Sequence, residues 1–143
     1  MENIYSEKIM DHFRNPRNLG EIADADGVGV VGNPRCGDVM KMYIRVGTRN
    51  VRNPKSEARN RKEKYIKEIK FQTLGCGAAI ASSSIATEMA KGKTLEEALK
   101  ISGKEISREM GKFPPAKFHC SILAEEGIKK AILDFQSRKN KES

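Results

Sequence analysis

Three cysteines stand at positions 36, 76 and 120 of 143 residues, in the stretches "GNPRCGD", "TLGCGAAI" and "FHCSIL". They are too far apart and too odd in number for a complete disulfide framework, so their chemistry is that of thiols: ligands, nucleophiles or small core residues. Each falls at a junction. Cys36 lies in a glycine-flanked turn between two expected strands, Cys76 between a strand and a helix, and Cys120 between a proline-containing loop and a helix. Junction backbone can present a side chain outward, and the start of a helix favours an anion such as a thiolate. If those junctions share one end of a sheet, the three thiols converge.

Two neighbours extend the set. Asp38 follows Cys36 by two residues, so on extended backbone both side chains point to the same side. His119 adjoins Cys120, and the pair reaches one site only if the chain bends there. The candidate ligands are therefore Cys36, Asp38, Cys76, His119 and Cys120. Thiolates with an imidazole suit zinc or an iron-sulfur centre, and an oxygen ligand such as Asp38 would make a cluster easier to release. Lys117, close to Cys120, can favour its thiolate or steer delivery of sulfur. Taken singly, each has an ordinary role: a core thiol, a turn aspartate, a solvated lysine. His12, without a cysteine nearby, reads as a surface or partly buried residue.

The elements that must position these residues follow from periodicity. "YSEKIMDHFRNP" sets Tyr5, Ile9 and Phe13 on one stripe of a short docking helix that Asn15-Pro16 ends. "GVGVVGNPRCGDVMKMYIRV" reads as strand, turn, strand, with Gly32 and Gly37 allowing the bend and the Met and Val positions forming core. "YIKEIKFQTLGCG" alternates imperfectly through Ile66, Ile69 and Phe71 and makes a third strand ending at Gly75. Helices follow: Cys76 to Gly92, rich in Ala and Ser for close packing; a capped turn at Thr94 and Glu97; a short one from Lys104 to Met110; and a last one from His119 or Cys120. That last helix carries Ala124, Ile128, Ala131, Ile132 and Phe135 on its apolar face. Strands first and helices after define an α+β fold, a small three-stranded antiparallel sheet with helices packed on it.

Length and composition supply one core, hence a single domain over residues 1–143 with a short mobile C-terminal tail. No run approaches the roughly 20 apolar residues that span a bilayer, and the first residues lack the pattern of a signal peptide; the expected location is the cytoplasm, away from membrane. The formal charge is +8, and residues 47–64 hold seven Lys or Arg against two acids, +5 of that total. The excess is therefore local, a basic, exposed insertion. It lacks the interleaved aromatics that stack bases, which argues against nucleic acid.

"GNPRCGD" (32 to 38), "GCGAAIASSS" (75 to 84) and "HCSILA" (119 to 124) together resemble the IscU-type scaffolds for iron-sulfur cluster assembly, a family shared with the N-terminal domain of NifU. The opening "YSEKIMDHFRNPRNLGEIADADGVG" resembles that family's start as well. The resemblance implies a SufE/NifU-like fold and a carrier, not an enzyme. Sulfur would arrive as a persulfide from a cysteine desulfurase of IscS/NifS type, iron would bind, and a [2Fe-2S] cluster would be built and passed to apo iron-sulfur proteins. It implies Cys36, Cys76 and Cys120 as thiolate ligands, Asp38 or His119 completing the set, Cys120 as the sulfur acceptor, and zinc as another occupant of the same site. Ferredoxin, a frataxin-like protein and an Hsp70-type chaperone are further implied partners, and a homo-oligomer is compatible with it. The "FPPAK" segment at 113 to 117 matches the family's chaperone-recognition segment at Pro114, Pro115 and Lys117 but not at Phe113 or Ala116. A zinc-binding sulfur acceptor that regulates a desulfurase is the alternative function.

Overall fold

The computed structural model describes residues 5–33, 38–51, 61–75, 77–112 and 118–142, with backbone alone at 33, 38, 50, 51, 61 and 140–142. Its elements run α1 (Glu7–Arg14), β1 (Gly27–Asn33), β2 (Asp38–Val51), β3 (Arg61–Leu74), α2 (Gly77–Ala90), α3 (Leu95–Leu99), α4 (Gly103–Met110) and α5 (Phe118–Glu142). The strands form one antiparallel sheet in the order β1-β2-β3. The α+β class and the three strands expected from the sequence are both present.

One face of the sheet carries Met40, Met42, Ile44, Ile66, Ile69 and Phe71, all buried, and α2 and α5 cover it. The imperfect alternation of Ile66, Ile69 and Phe71 has a local cause. Arg45 pairs with Glu68 and Val46 with Ile66, so Lys67 is an extra residue, a bulge. That bulge returns Ile66 to the core face, which strict alternation would deny it.

Along β1 it is Gly27, Gly29 and Val31 that face α5. A Cβ at Gly29 would lie 2.5 Å from the Ala131 nitrogen and 2.5 Å from the Gly127 carbonyl oxygen, so the helix rests directly on the strand. The sequence reading placed every strand valine in the core, but Val30 is 51% exposed because the glycines hold the inward register.

The expected loop at 47–64 is shorter than its charge suggested. β2 continues to Val51 and β3 begins at Arg61; residues 52–60 lie outside the described ones. Cross-strand contacts, not burial, extend the ribbon: the Tyr65 ring lies against Gly47, the Arg49 guanidinium sits 4.9 Å from that ring, and Arg49 pairs with Glu63 at 3.6 Å. At the other end of the chain, helix α5 runs to Glu142 where a short tail was expected. Its last turns are anchored by Arg138, which bonds the Ala25 carbonyl at 3.1 Å and pairs with Asp134 at 2.8 Å.

Helix α1 packs mainly on α2. Ser6 caps it, accepting from the Ile9 amide, and its hydroxyl also donates to the Met110 carbonyl while its amide reaches the Lys112 carbonyl at 2.7 Å. Ile9 is buried in the core, whereas Phe13 remains 45% exposed with its ring laid over Gly77.

Candidate functional site

The β1-β2 hairpin closes where Asn33 pairs with Asp38, and the adjoining pair, Val39 with Leu74, brings the end of β3 beside it. Two of the cysteine-bearing segments, 34–37 and 75–76, therefore leave from the same end of the sheet. The third comes from α5. Gly27 lies against Ala131 and Phe135, and Gly29 against Gly127, so moving along β1 toward Asn33 means moving along α5 toward its first turn. Cys120, the third residue of α5, starts that helix at the same end.

Cys36, Cys76 and Lys117 lie outside the described residues, as do the rest of the "FPPAK" segment and the side chain of Asp38. Among the described residues no group of three or more His, Cys, Asp or Glu is disposed to hold a metal ion. His119 and Cys120 are both described and do come together: Nε2 stands 3.6 Å from Sγ. The bend that the sequence required is the first turn of α5 itself.

Their environments are opposite. Cys120 is fully buried, grouped with Ala78 and Ala79 of the first turn of α2, with Tyr5 packed against that cluster; His119 is exposed. A soft sulfur and an imidazole nitrogen are ligand types that zinc and iron take. An apolar groove of about 290 Å3, lined by Tyr5, Ile9, Met10, Phe13, Gly77 and Ala78, lies between α1 and the start of α2.

Two groups near the site escaped sequence reasoning. His12 was expected at the surface or partly buried; it is buried, with Nδ1 2.7 Å from the Ser84 hydroxyl. That hydroxyl also accepts from the Arg17 amide at 2.8 Å. Burial, and then the charge of Arg17, lowers the His12 pKa from its ordinary value. The other is Tyr5, read only as the start of a helix stripe. The position of Ser84 within "ASSSIA" gave a signal of tight packing but none of its partner.

The NifU-like N-terminal domain family matches residues 4–142. The chain belongs to this family. Among relatives of the NifU-like type, iron-sulfur cluster assembly scaffold protein IscU 1 of Archaeoglobus fulgidus is 53% identical over 137 residues, 96% of this chain and 79% of that one. The iron-sulfur cluster assembly scaffold protein IscU of Azotobacter vinelandii is 46% identical over 138 residues, 94% and 96% of the two chains. A crystal structure described as a SUF-system iron-sulfur cluster assembly scaffold from Fervidobacterium islandicum AW-1 superposes with a TM-score of 0.62 at 23% identity, covering 90% of this chain and 96% of that one. That likeness establishes the shared NifU-like fold.

Proposed function

We propose that this protein is an iron-sulfur cluster assembly scaffold that receives sulfur from a cysteine desulfurase, binds iron, assembles a [2Fe-2S] cluster and transfers it to apo-proteins. The observation that carries the reading is identity of 46 to 53%, over nearly the whole chain, to scaffolds named IscU. The cluster is cargo. A protein that must give up what it binds needs ligands that hold without locking, and the proposed set of Cys36, Cys76 and Cys120 with Asp38 or His119 has that character.

Sulfur transfer to Cys120 balances without an added oxidant. The Cys120 thiolate attacks the terminal sulfur of the desulfurase cysteine persulfide, a new S–S bond forms at Cys120, the donor S–S bond breaks, and the donor cysteine leaves as thiolate. Reduction of the delivered sulfur to sulfide needs electrons, for which a ferredoxin is the proposed source. Lys117 is the proposed assisting charge near the attacking sulfur. Zinc competes for the same ligands, and a frataxin-like protein, an Hsp70-type chaperone and a second copy of the chain are further proposed partners, all in the cytoplasm. The apolar strip Val30, Val39 and Leu74 at this end of the sheet, with Val30 and Leu74 51% and 72% exposed, offers a docking surface beside the chemistry.

Anaerobic reconstitution with iron, cysteine and a desulfurase tests the reading. Visible charge-transfer absorption with acid-labile sulfide is expected; absence of both, with tight zinc retained, would replace it by a zinc-binding desulfurase regulator. Asp38→Ala is expected to hold its cluster longer, and transfer as fast as wild type would remove that role from Asp38.

A further inference from the structure

A sulfur that must be reached by another protein's persulfide is sealed in this fold. Cys120 has 0% exposure and packs with Ala78 and Ala79 in a small cluster apart from the main core. Attack on a persulfide requires the thiolate to approach the donor's terminal sulfur, so access sets the rate alongside thiolate character. Part of the wall around Cys120 must therefore move during delivery.

Two described neighbours of the sulfur's cluster lie outside the packed core: His119, whose exposed ring stands 3.6 Å from Sγ on the same helix turn, and Tyr5. Ala78 and Ala79 lie in the first turn of α2, and Ala81 through Thr87 of the same helix are buried; shifting them would open the core. Tyr5 is different. It precedes α1, is only partly buried, packs at the margin of the main core as well as against the Cys120 cluster, and borders the groove formed with Ile9, Met10, Phe13, Gly77 and Ala78. Its tether is the adjoining Ser6, bonded to the Met110 and Lys112 carbonyls at the end of α4. These are polar contacts, which open at less cost than a packed core.

We propose that the Tyr5 ring is a gate over the Cys120 sulfur, closed in this structure and opened by displacement of the Ser6 end of α1. Tyr5 acts here as a positioning residue: it governs exposure of the sulfur and takes no part in bond making. The functional meaning of the gate rests on Cys120 being the sulfur acceptor, but its existence does not.

Alkylation of the reduced, metal-free full chain by iodoacetamide, with Cys120 followed by peptide mass spectrometry, reads the gate directly. Tyr5→Ala should accelerate modification of Cys120 about tenfold, corresponding to about 1.4 kcal/mol less for opening. Tyr5→Phe, which keeps the ring, should restore the slow rate. Ser6→Ala leaves the buried side chains in place and removes both the hydroxyl's bond to the Met110 carbonyl and the cap on the Ile9 amide, loosening the Ser6 end of α1, so it too should accelerate Cys120. A Cys120 rate unchanged in both Tyr5→Ala and Ser6→Ala overturns the gate, as does Tyr5→Phe reacting as fast as Tyr5→Ala. Persulfide mapping after desulfurase treatment separates the two ideas: faster alkylation with sulfur found only on Cys36 or Cys76 supports the gate and removes the acceptor role from Cys120.

Discussion

The sheet with α2 and α5 is held by apolar side chains that exclude water, among them Met40, Met42, Ile44, Phe71, Ile85, Ile128 and Ile132, whereas α1 is held mainly by polar contacts around one buried isoleucine. Those contacts are Ser6 to the end of α4, Lys8 to Glu109 at 2.8 Å, and His12 and the Arg17 amide to Ser84. The difference teaches where motion is cheap. Burial of a large apolar side chain is worth about 1.5 to 3 kcal/mol, while a net hydrogen bond is worth about 1. Helix α1 can therefore loosen while the sheet and its two helices stay closed, and Tyr5, which packs against the Cys120 cluster, precedes α1.

The largest expected effect lies on the packed side. Gly29→Val would drive a branched side chain into the backbone of Ala131 and Gly127, and should destabilise by about 3 kcal/mol, at the upper end for overpacking. Urea unfolding measures it, and a loss below about 1 kcal/mol would mean that α5 does not rest on β1 as tightly as drawn.

Next is Ser84→Ala, which leaves the His12 ring nitrogen and the Arg17 amide without their shared partner. A loss of about 1 to 2 kcal/mol is expected. Amide exchange should rise in Ile9–Phe13 and stay slow in Ile128–Ile132; equal acceleration in both would erase the distinction between the two regions.

A gentler probe is pH. Because the folded-state pKa of His12 is lowered, the neutral ring belongs to the fold, and the unfolded chain takes up the proton first. Stability from this group is complete above about pH 6.5, the unfolded value, and is lost as pH falls from there through the folded value. Burial is the main cause of the shift, with Arg17 and Lys8 adding to it and Asp11 and Glu88 opposing it. His12→Gln should flatten the thermal stability between about pH 7 and 5; a slope identical to wild type would assign it to other groups.

Smallest of all is Lys8→Met, which breaks an exposed pair with Glu109 and should cost less than about 1 kcal/mol in denaturant unfolding. A larger loss would show α1 to be anchored more firmly than its other contacts indicate.

Much of the architecture was legible because periodicity reports burial. The faces of α5 and β2, the Thr94 cap and the stop near Gly92 all follow from residue type and spacing. What escaped depends on contacts between distant segments. The bulge at Lys67 is set by pairing with Arg45 and Val46, and the ribbon beyond Val46 by Tyr65 against Gly47 and Arg49. The burial of His12 depends on Ser84, 72 positions away. In the site, the junction argument made convergence conditional on the segments sharing one sheet end, where the described ends of β1, β2 and β3 and the start of α5 do lie, and the His119–Cys120 approach needed only a helix turn. The seal over Cys120 had no local signal, since Tyr5 and Cys120 are far apart in the chain.

The central claim is that this chain carries a cluster in order to surrender it. Transfer of a reconstituted cluster to an apo-ferredoxin in the presence of an iron chelator tests that most directly, followed by visible circular dichroism. The account predicts holo-ferredoxin forming faster than from free iron and sulfide and with little loss to the chelator. Formation no faster than from the free ions, or complete suppression by the chelator, would contradict it.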